Sequence, residues 1–230
     1  QVSTEIAHDL RTPLTRLHQR LERLQSSGAG DPDSIDAAVE QTNGLLATFE
    51  ALLRIGSIEG GVGRRRFGPV DLSELLDRIH AAYLPVVEDS GQTFIAHHAA
   101  GVTVIGDPDL LAQLFTNLIE NAIVHTPPGT HIVSRLHIVG AEAVAEICDK
   151  GPGIPFDERE KVFRRFYRRD ASRNTEGAGL GLALVAAIAA LHQADCTIPD
   201  SAMGLCVRLT FHRSSAIDQV TDAPKHHGLA

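Results

Sequence analysis

Asn117 and Asn121 stand four residues apart, so a helix brings both amides to one face. Two side-chain carbonyl oxygens placed that way suit Mg²⁺, which completes its shell with water and substrate phosphates. Asp149 closes an apolar run and opens Asp149-Lys-Gly-Pro-Gly153. A carboxylate at a strand end can accept a hydrogen bond from an adenine exocyclic amine, and Gly151 and Gly153 let backbone approach the base. In Phe163-Arg-Arg-Phe-Tyr-Arg168 and the following Arg169, the guanidinium groups of Arg165, Arg168 and Arg169 match phosphate oxygens. Phe163 and Phe166 would anchor the start of a lid over residues 171–178. Gly177-Ala-Gly-Leu-Gly-Leu182 runs into an Ala- and Leu-rich helix, whose N-terminal amides favour anionic phosphate. That run lacks both the GxGxxG spacing and the feeding strand of a dinucleotide site. Taken singly, each group also reads as something plainer: surface amides, a turn, solvated arginines.

A phosphoryl acceptor stands near the N-terminus, in His8-Asp-Leu-Arg-Thr-Pro13. Ala7, Leu10, Leu14, Leu17, Leu21 and Leu24 form the seam of a helix over residues 3–27. His8 follows Ala7 and so lies about 100° off that seam, facing solvent. A neutral imidazole is a capable nucleophile toward phosphorus if its second nitrogen can share its proton, and Asp9 is placed to accept it. Thr12 lies one turn on, on the same face, where a hydroxyl could orient water beside a docked phosphoryl group. Pro13 bends the helix just past the site.

These residues need two kinds of support. After a turn and cap cluster at residues 28–34, a second helix carries Ile35, Ala38, Thr42, Leu45, Phe49 and Leu52 in alternating 3-4 spacing. Two helices with one stripe each leave flank surface uncovered. Pairing with a second copy as a four-helix bundle covers it, and so does packing against the rest of the same chain. The glycine-rich segment 56–68, with Arg64-Arg-Arg66, reads as a solvated linker. Beyond it Asp71-Leu-Ser-Glu74 predicts a capping box and a helix to about residue 89. Strands are expected over 93–96 and 102–105. Asp107-Pro108 predicts the cap and first turn of a helix through His125. Strands over 131–139 and 143–148, a helix over 180–192 and strands over 196–198 and 205–211 complete an α/β sandwich, a mixed sheet covered on one face by helices. The tail past residue 213 has no periodicity and reads as disordered.

Composition narrows the functions. A chain of 230 residues suits one or two domains. Its net charge of −8 argues against general nucleic-acid binding. The three cysteines, without CxxC spacing, read as reduced thiols in a cytosolic setting. The longest strongly apolar run, residues 180–191, is too short to span a bilayer, and no signal peptide is visible. Only seven residues precede His8, so the chain reads as a fragment.

In their order, the five groups resemble the H, N, G1, F and G2 boxes of sensor histidine kinases, over residues 3 to about 212. The resemblance implies an α+β fold. A dimerisation and histidine-phosphotransfer hairpin (residues 1–60) would form a four-helix bundle as a dimer. An ATP-binding α/β sandwich of the Bergerat or GHKL type (61–213) follows, then the tail (214–230). It assigns His8 as phosphoacceptor, Asp9 as its acidic partner and Thr12 to dephosphorylation of the partner protein. It makes Asn121 the principal Mg²⁺ ligand with Asn117 close by. Arg168 goes to the γ-phosphate, and His125, Asp149, Gly151, Gly153, Arg165, Gly177, Gly179, Leu180, Gly181 and Leu182 complete the ATP site. Gyrase and chaperone relatives of this nucleotide fold carry Glu where Asn117 stands, and an amide cannot activate water. Val124 replaces a frequent Lys or Arg, and His192-Gln-Ala194 stands where His-Gly-Gly is usual. The implied function is autophosphorylation of His8 from ATP, then transfer to an aspartate of a response-regulator receiver domain, with phosphatase activity on it as a further role. A catalytically silent or phosphatase-biased homologue and a GHKL-type ATPase are the alternatives. The implied setting is the cytoplasmic portion of a homodimeric protein, anchored in a bacterial inner membrane through a sensor region preceding this chain.

Overall fold

The computed structural model describes residues 32–59, 67–168, 179–200 and 204–212. The predicted helix over 3–27, the His8 group, the arginine run at 64–66, most of the lid and the tail lie outside them. The chain divides into two compact units, Gln1–Gly63 with Pro155–Ile188, and Arg64–Ile154 with Ala189–Ala230.

In the first unit, helix α1 (Pro32–Glu59) is the predicted second helix. Leu52, Ile55 and Ile58 near its C-terminal end are buried, whereas Ile35, Val39, Leu46, Phe49 and Leu53 are exposed. The predicted stripe is therefore covered at Leu52 and open at Ile35 and Phe49.

The second unit is built on a mixed sheet. Strand β1 (Gly68–Asp71), absent from the sequence expectation, pairs antiparallel with β3 (Thr103–Gly106) as a separate two-stranded ribbon. Asp71 both ends β1 and caps α2 (Leu72–Asp89), its carboxylate accepting from the N–H groups of Ser73 and Glu74. Four orphan donors open every helix, and this residue satisfies two of them. Strand β2 (Thr93–His98) follows, then α3 (Pro108–His125), capped by Asp107 with Pro108 in its first turn. Strands β4 (His131–Val139) and β5 (Glu142–Asp149) come next. Helix α4 (Gly181–Leu191), of which residues 181–188 belong to the first unit, leads to strands β6 (Ala194–Thr197) and β7 (Cys206–His212), which close the order. The five-stranded sheet runs β2-β4-β5-β7-β6, with β2 and β4 parallel and the other pairs antiparallel.

Alternation along each strand sends one set of side chains toward α2 and α3. Phe94, Ile132, Leu136, Ala143, Ala145, Ile147, Leu209 and Phe211 are buried from the sheet, and Leu76, Ile79, Leu114, Phe115 and Leu118 from the two helices. A polar bridge crosses this layer: His98 lies 2.7 Å from the Asp77 carboxylate of α2 and 2.8 Å from the Ser134 hydroxyl of β4.

One expectation changes. The cysteines are not all free thiols, because Cys148 and Cys206 are direct partners across β5 and β7 and are joined as a disulfide. Their 58-residue separation carries no sequence signal, so only the strand register brings them together. The departure at His192-Gln-Ala194 is absorbed in the backbone. His192 is buried, accepts from the Asp107 N–H at 3.0 Å and stacks on Phe67, while Ala194 starts β6. Gln193 turns the chain with φ 53°, a left-handed conformation that burdens any residue with a Cβ. Gln193→Gly should therefore stabilise the protein by about 0.5 kcal/mol, the relief of backbone strain exceeding the added chain entropy. Equal denaturation midpoints for the two proteins would show that the turn carries no such strain.

Candidate functional site

The site residues fall in both units, and each group is organised by its own local structure. In the second unit, Asp149 is the last residue of β5 and is mostly buried. Its backbone N–H donates to the Leu205 carbonyl, and its Oδ1 accepts from the N–H groups of Gly151 (2.8 Å) and Leu205 (3.1 Å). These bonds occupy one carboxylate oxygen and leave Oδ2 to accept from outside the chain. Burial pushes the Asp149 pKa up, opposed by the two backbone donors and by electrostatic attraction to His125. His125 reaches this carboxylate electrostatically from the last turn of α3.

The glycines beside Asp149 are required by space. A Cβ on Gly151 would lie 2.6 Å from Thr126 Cγ2 and 3.0 Å from Asp149 Oδ1. Gly153 has φ +67° and packs against the Gly204 carbonyl.

Thr126 itself was not anticipated. It is buried in extended conformation, as a residue before proline should be, and so ends α3. Its hydroxyl donates to the Ala122 carbonyl and accepts from the Gln92 amide, which also donates to the Thr126 and Ile123 carbonyls. The Thr126-Pro-Pro sequence after the helix was the available signal for this wall; nothing in sequence pointed to Gln92.

Asn117 and Asn121 project half-buried from α3. Asn117 donates its amide N–H to the Gln113 carbonyl at 2.8 Å, which leaves its side-chain oxygen as the unused end. Asn121 makes no hydrogen bond to a described residue. Two amide oxygens one turn apart match the hard, neutral donors that Mg²⁺ accepts. Val124 is exposed and contributes no charge.

In the first unit, Phe166 donates its N–H to the Gly179 carbonyl at 3.0 Å, joining the arginine-bearing segment to the glycine turn. Gly179 has φ +70°, and a Cβ there would lie 2.9 Å from the Tyr167 carbonyl and 3.0 Å from Arg168 Cγ. Leu180 is buried, and its carbonyl accepts from Leu184, so Gly181 and Leu182 form the first turn of α4. Arg165 and Arg168 are both half-buried. His8, Asp9, Thr12, Arg169 and Gly177 lie outside the described residues.

A mixed sheet backed by helices, with a carboxylate and two space-limited glycines at a strand end, defines an α+β nucleotide-binding domain of the GHKL type. Residues 106–215 match the family described as "Histidine kinase-, DNA gyrase B-, and HSP90-like ATPase". Among known proteins, the chain is 35% identical over 208 residues to the probable sensor histidine kinase TcrY of Mycobacterium tuberculosis, covering 87% of this chain and 43% of TcrY. It is 34% identical over 214 residues to the histidine-protein kinase/phosphatase MprB of the same organism, covering 87% of this chain and 41% of MprB. A solved mycobacterial MprB structure, 30% identical, superposes with a TM-score of 0.56 over 63% of this chain and 96% of that one. The histidine kinase ThkA, solved in complex with the response regulator protein TrrA, shares the fold at 19% identity and a TM-score of 0.73, over 92% of this chain and 61% of ThkA. The chain belongs to the sensor histidine kinases. It spans less than half the length of the curated relatives it matches.

Because burial raises the Asp149 pKa, the folded state holds the proton more tightly than the unfolded state does. The stability this contributes is present below the ordinary carboxylate range and is lost as pH rises through the raised value. Where the pH lies above that raised value, the ionised group opposes folding. Asp149→Asn keeps an oxygen for both backbone donors and removes the charge. The nucleotide-free variant should be more stable than the wild type at neutral pH, the gain shrinking in acid. Denaturant titrations at both pH values check it, and a variant less stable at neutral pH overturns it.

Proposed function

We propose that this chain is the dimerisation and catalytic core of a sensor histidine kinase, which phosphorylates His8 from ATP and passes the phosphoryl group to an aspartate of a response-regulator receiver domain. The observation that carries this reading is Asp149, with one oxygen held by two backbone N–H groups and the other left to accept. An adenine amine supplies the donor that this oxygen lacks, and Gly151 and Gly153 let the backbone approach the base. The kinase names of TcrY and MprB support the activity, and the ThkA complex with TrrA is the model for the partner.

In this reading one His8 nitrogen attacks the γ-phosphorus, its bond to the β-phosphate oxygen breaks, and ADP leaves. Asp9 takes up the proton from the other ring nitrogen. Phosphoryl transfer is chiefly a problem of positioning and charge neutralisation. Arg168 and Arg165 face the phosphates, and the amides at Gly177, Gly179, Leu180, Gly181 and Leu182 hold them from the α4 N-terminus. Asn121, with Asn117 beside it, holds Mg²⁺, which when bound neutralises phosphate charge. His125 lies at the nucleotide edge of α3. An amide at Asn117 has no basicity with which to activate water, which favours transfer over the hydrolysis of a GHKL-type ATPase.

The exposed apolar residues of α1 support a homodimer, in which a second copy covers Ile35, Val39 and Phe49 in a four-helix bundle. No described helix is long and apolar enough to cross a membrane. In the proposed setting this chain is the cytoplasmic portion of a protein anchored in the membrane by another segment. A second reading, a phosphatase-biased homologue, draws on the kinase/phosphatase name of MprB and on Thr12.

Incubation with labelled ATP tests the proposal. Acid-labile, base-stable protein label is expected; free phosphate alone would indicate an ATPase. His8→Gln should abolish the label and leave ATP affinity nearly unchanged, and labelling at the wild-type rate would remove His8 as nucleophile. Asn121→Asp should weaken Mg²⁺·ATP binding and lower autophosphorylation by roughly 10- to 100-fold. Asp149→Asn turns an amide donor toward the adenine amine and should weaken nucleotide binding at least about tenfold, as calorimetry would report. Thr12→Ala should leave His8 phosphorylation near normal and slow the loss of phosphate from the regulator. Equal decay rates with Thr12→Ala and wild type would make Thr12 structural.

A further inference from the structure

The sheet face turned away from α2 and α3 carries a cavity of about 360 Å³, within the range of small-ligand sites. Two cross-strand rows line it. Arg135, Glu146 and Arg208 are register partners across β4, β5 and β7, and the next row places Cys148 against Cys206. Glu146 Oε1 accepts from Arg208 Nε at 2.8 Å, and its other oxygen lies 3.7 Å from Arg135. The Arg135 guanidinium also lies 3.5 Å from Cys148 Sγ, beside the Glu146 carboxylate, which lies within 4.8 Å of both sulfurs. Lys150 and Asp200 complete a lining of mixed charge.

The position of the sulfur pair gives the cavity a consequence. Sheet pairing of β5 with β7 ends at Cys148 and Cys206. One residue further on, two hydrogen bonds join the strand ends: Asp149 N–H to the Leu205 carbonyl, and Leu205 N–H to Asp149 Oδ1. The residue after Cys148 thus bears the carboxylate, and the residue before Cys206 supplies one of the two N–H groups that hold it, Gly151 giving the other. With the sulfurs joined, the strand ends cannot part; with the sulfurs reduced, the pairing keeps its hydrogen bonds and the Arg208–Glu146 ion pair but loses its covalent tie.

We propose that this cavity is a thiol–disulfide exchange site, at which a small disulfide derived from amino acids oxidises Cys148 and Cys206 and thereby secures Asp149 for adenine binding. The lining suits such a ligand, with Lys150 and the Arg135 and Arg208 guanidinium groups that flank Glu146 for its carboxylates and Asp200 for its ammonium group. The Cys148 sulfur, as thiolate, attacks one sulfur of the disulfide and expels the first small thiolate. Cys206 then attacks the Cys148 sulfur of the mixed disulfide and expels the second. Two protein thiols and one small disulfide become one protein disulfide and two small thiols, which carry away both protons. Cys196 lies outside the couple, and burial pushes its thiol up to about 12, so it stays unreactive.

The coupling to nucleotide rests on the adenine reading of Asp149, and the test separates the two. The full chain is reduced with a phosphine, freed of it without air, and exposed to oxidised glutathione. Intact mass and peptide mapping should show loss of two hydrogens and a Cys148–Cys206 cross-link, with Cys196 unmodified. No cross-link, or a lasting glutathione adduct in its place, overturns the proposal. So does Zn²⁺ held stoichiometrically by the reduced protein and blocking exchange, since Glu146 and the two sulfurs lie within 4.8 Å of one another. Reaction should be roughly tenfold faster than with uncharged hydroxyethyl disulfide, each rate normalised to that with a free thiol. Equal normalised rates remove the recognition by charge. By calorimetry, the oxidised protein should bind a non-hydrolysable ATP analogue about tenfold more tightly than the reduced protein. Cys148→Ser should bind like the reduced protein under both conditions. Equal affinity in both redox states of the wild type overturns the coupling. Binding in neither state overturns the adenine reading itself, and the coupling with it.

Discussion

The Asp149 carboxylate is held mostly out of water at the end of β5, and a charge in that position needs partners. Two backbone N–H groups supply them, one from the glycine turn that follows and one from the start of β7. To bring Leu205 there, the chain must leave β5, run through the arginine segment, the glycine turn, α4 and β6, and return antiparallel. The register of β5 with β7 is therefore a condition for the site as well as for the sheet. Burial still works against the charged form, as the raised pKa records. Active sites commonly store such opposition, because a ligand that satisfies the remaining oxygen then gains what the folded protein lacks.

Space around this carboxylate is limited from several directions. Thr126 closes α3 against Gly151, and Gln92 holds Thr126 through its hydroxyl and carbonyl. Gly204 faces Gly153 across the gap between β5 and β7. At the far edge of the unit, His192 fills the room that Gly106 leaves and takes the Asp107 N–H that opens α3. Each end of α3 is thereby fixed by a side chain distant in sequence, and Asn117, Asn121 and His125 inherit their positions from it.

The two faces of the sheet have different roles. One supplies the core under α2 and α3, where Phe115, Ile132 and Leu136 are fully enclosed. The other carries charged rows and the sulfur pair. Because side chains alternate along a strand, Asp149 and Cys148 point to opposite faces while sharing one peptide unit. A change at the sulfurs is thus transmitted to the carboxylate through backbone alone.

The candidate site residues were legible in the chain because each depends on local order. Asn117 and Asn121 meet at helical spacing, Asp71 and Asp107 sit where a helix must be capped, and glycines stand beside Asp149 where backbone must come close. Apolar periodicity likewise marked α2, α3, α4 and most of the sheet. Strand β1 was not legible, since four residues holding Gly and Pro carry no alternation and pair only because β3 lies beside them. The hold of Gln92 on Thr126 and of His192 on Asp107 was equally hidden, as was the union of Cys148 with Cys206. These are pairings between residues far apart in sequence, and no local pattern encodes which strand end will face which. Sequence alone determined which groups could bind and react. Tertiary structure decided which oxygen of Asp149 stays open and which cysteines meet, because both follow from the register in which β5 and β7 close.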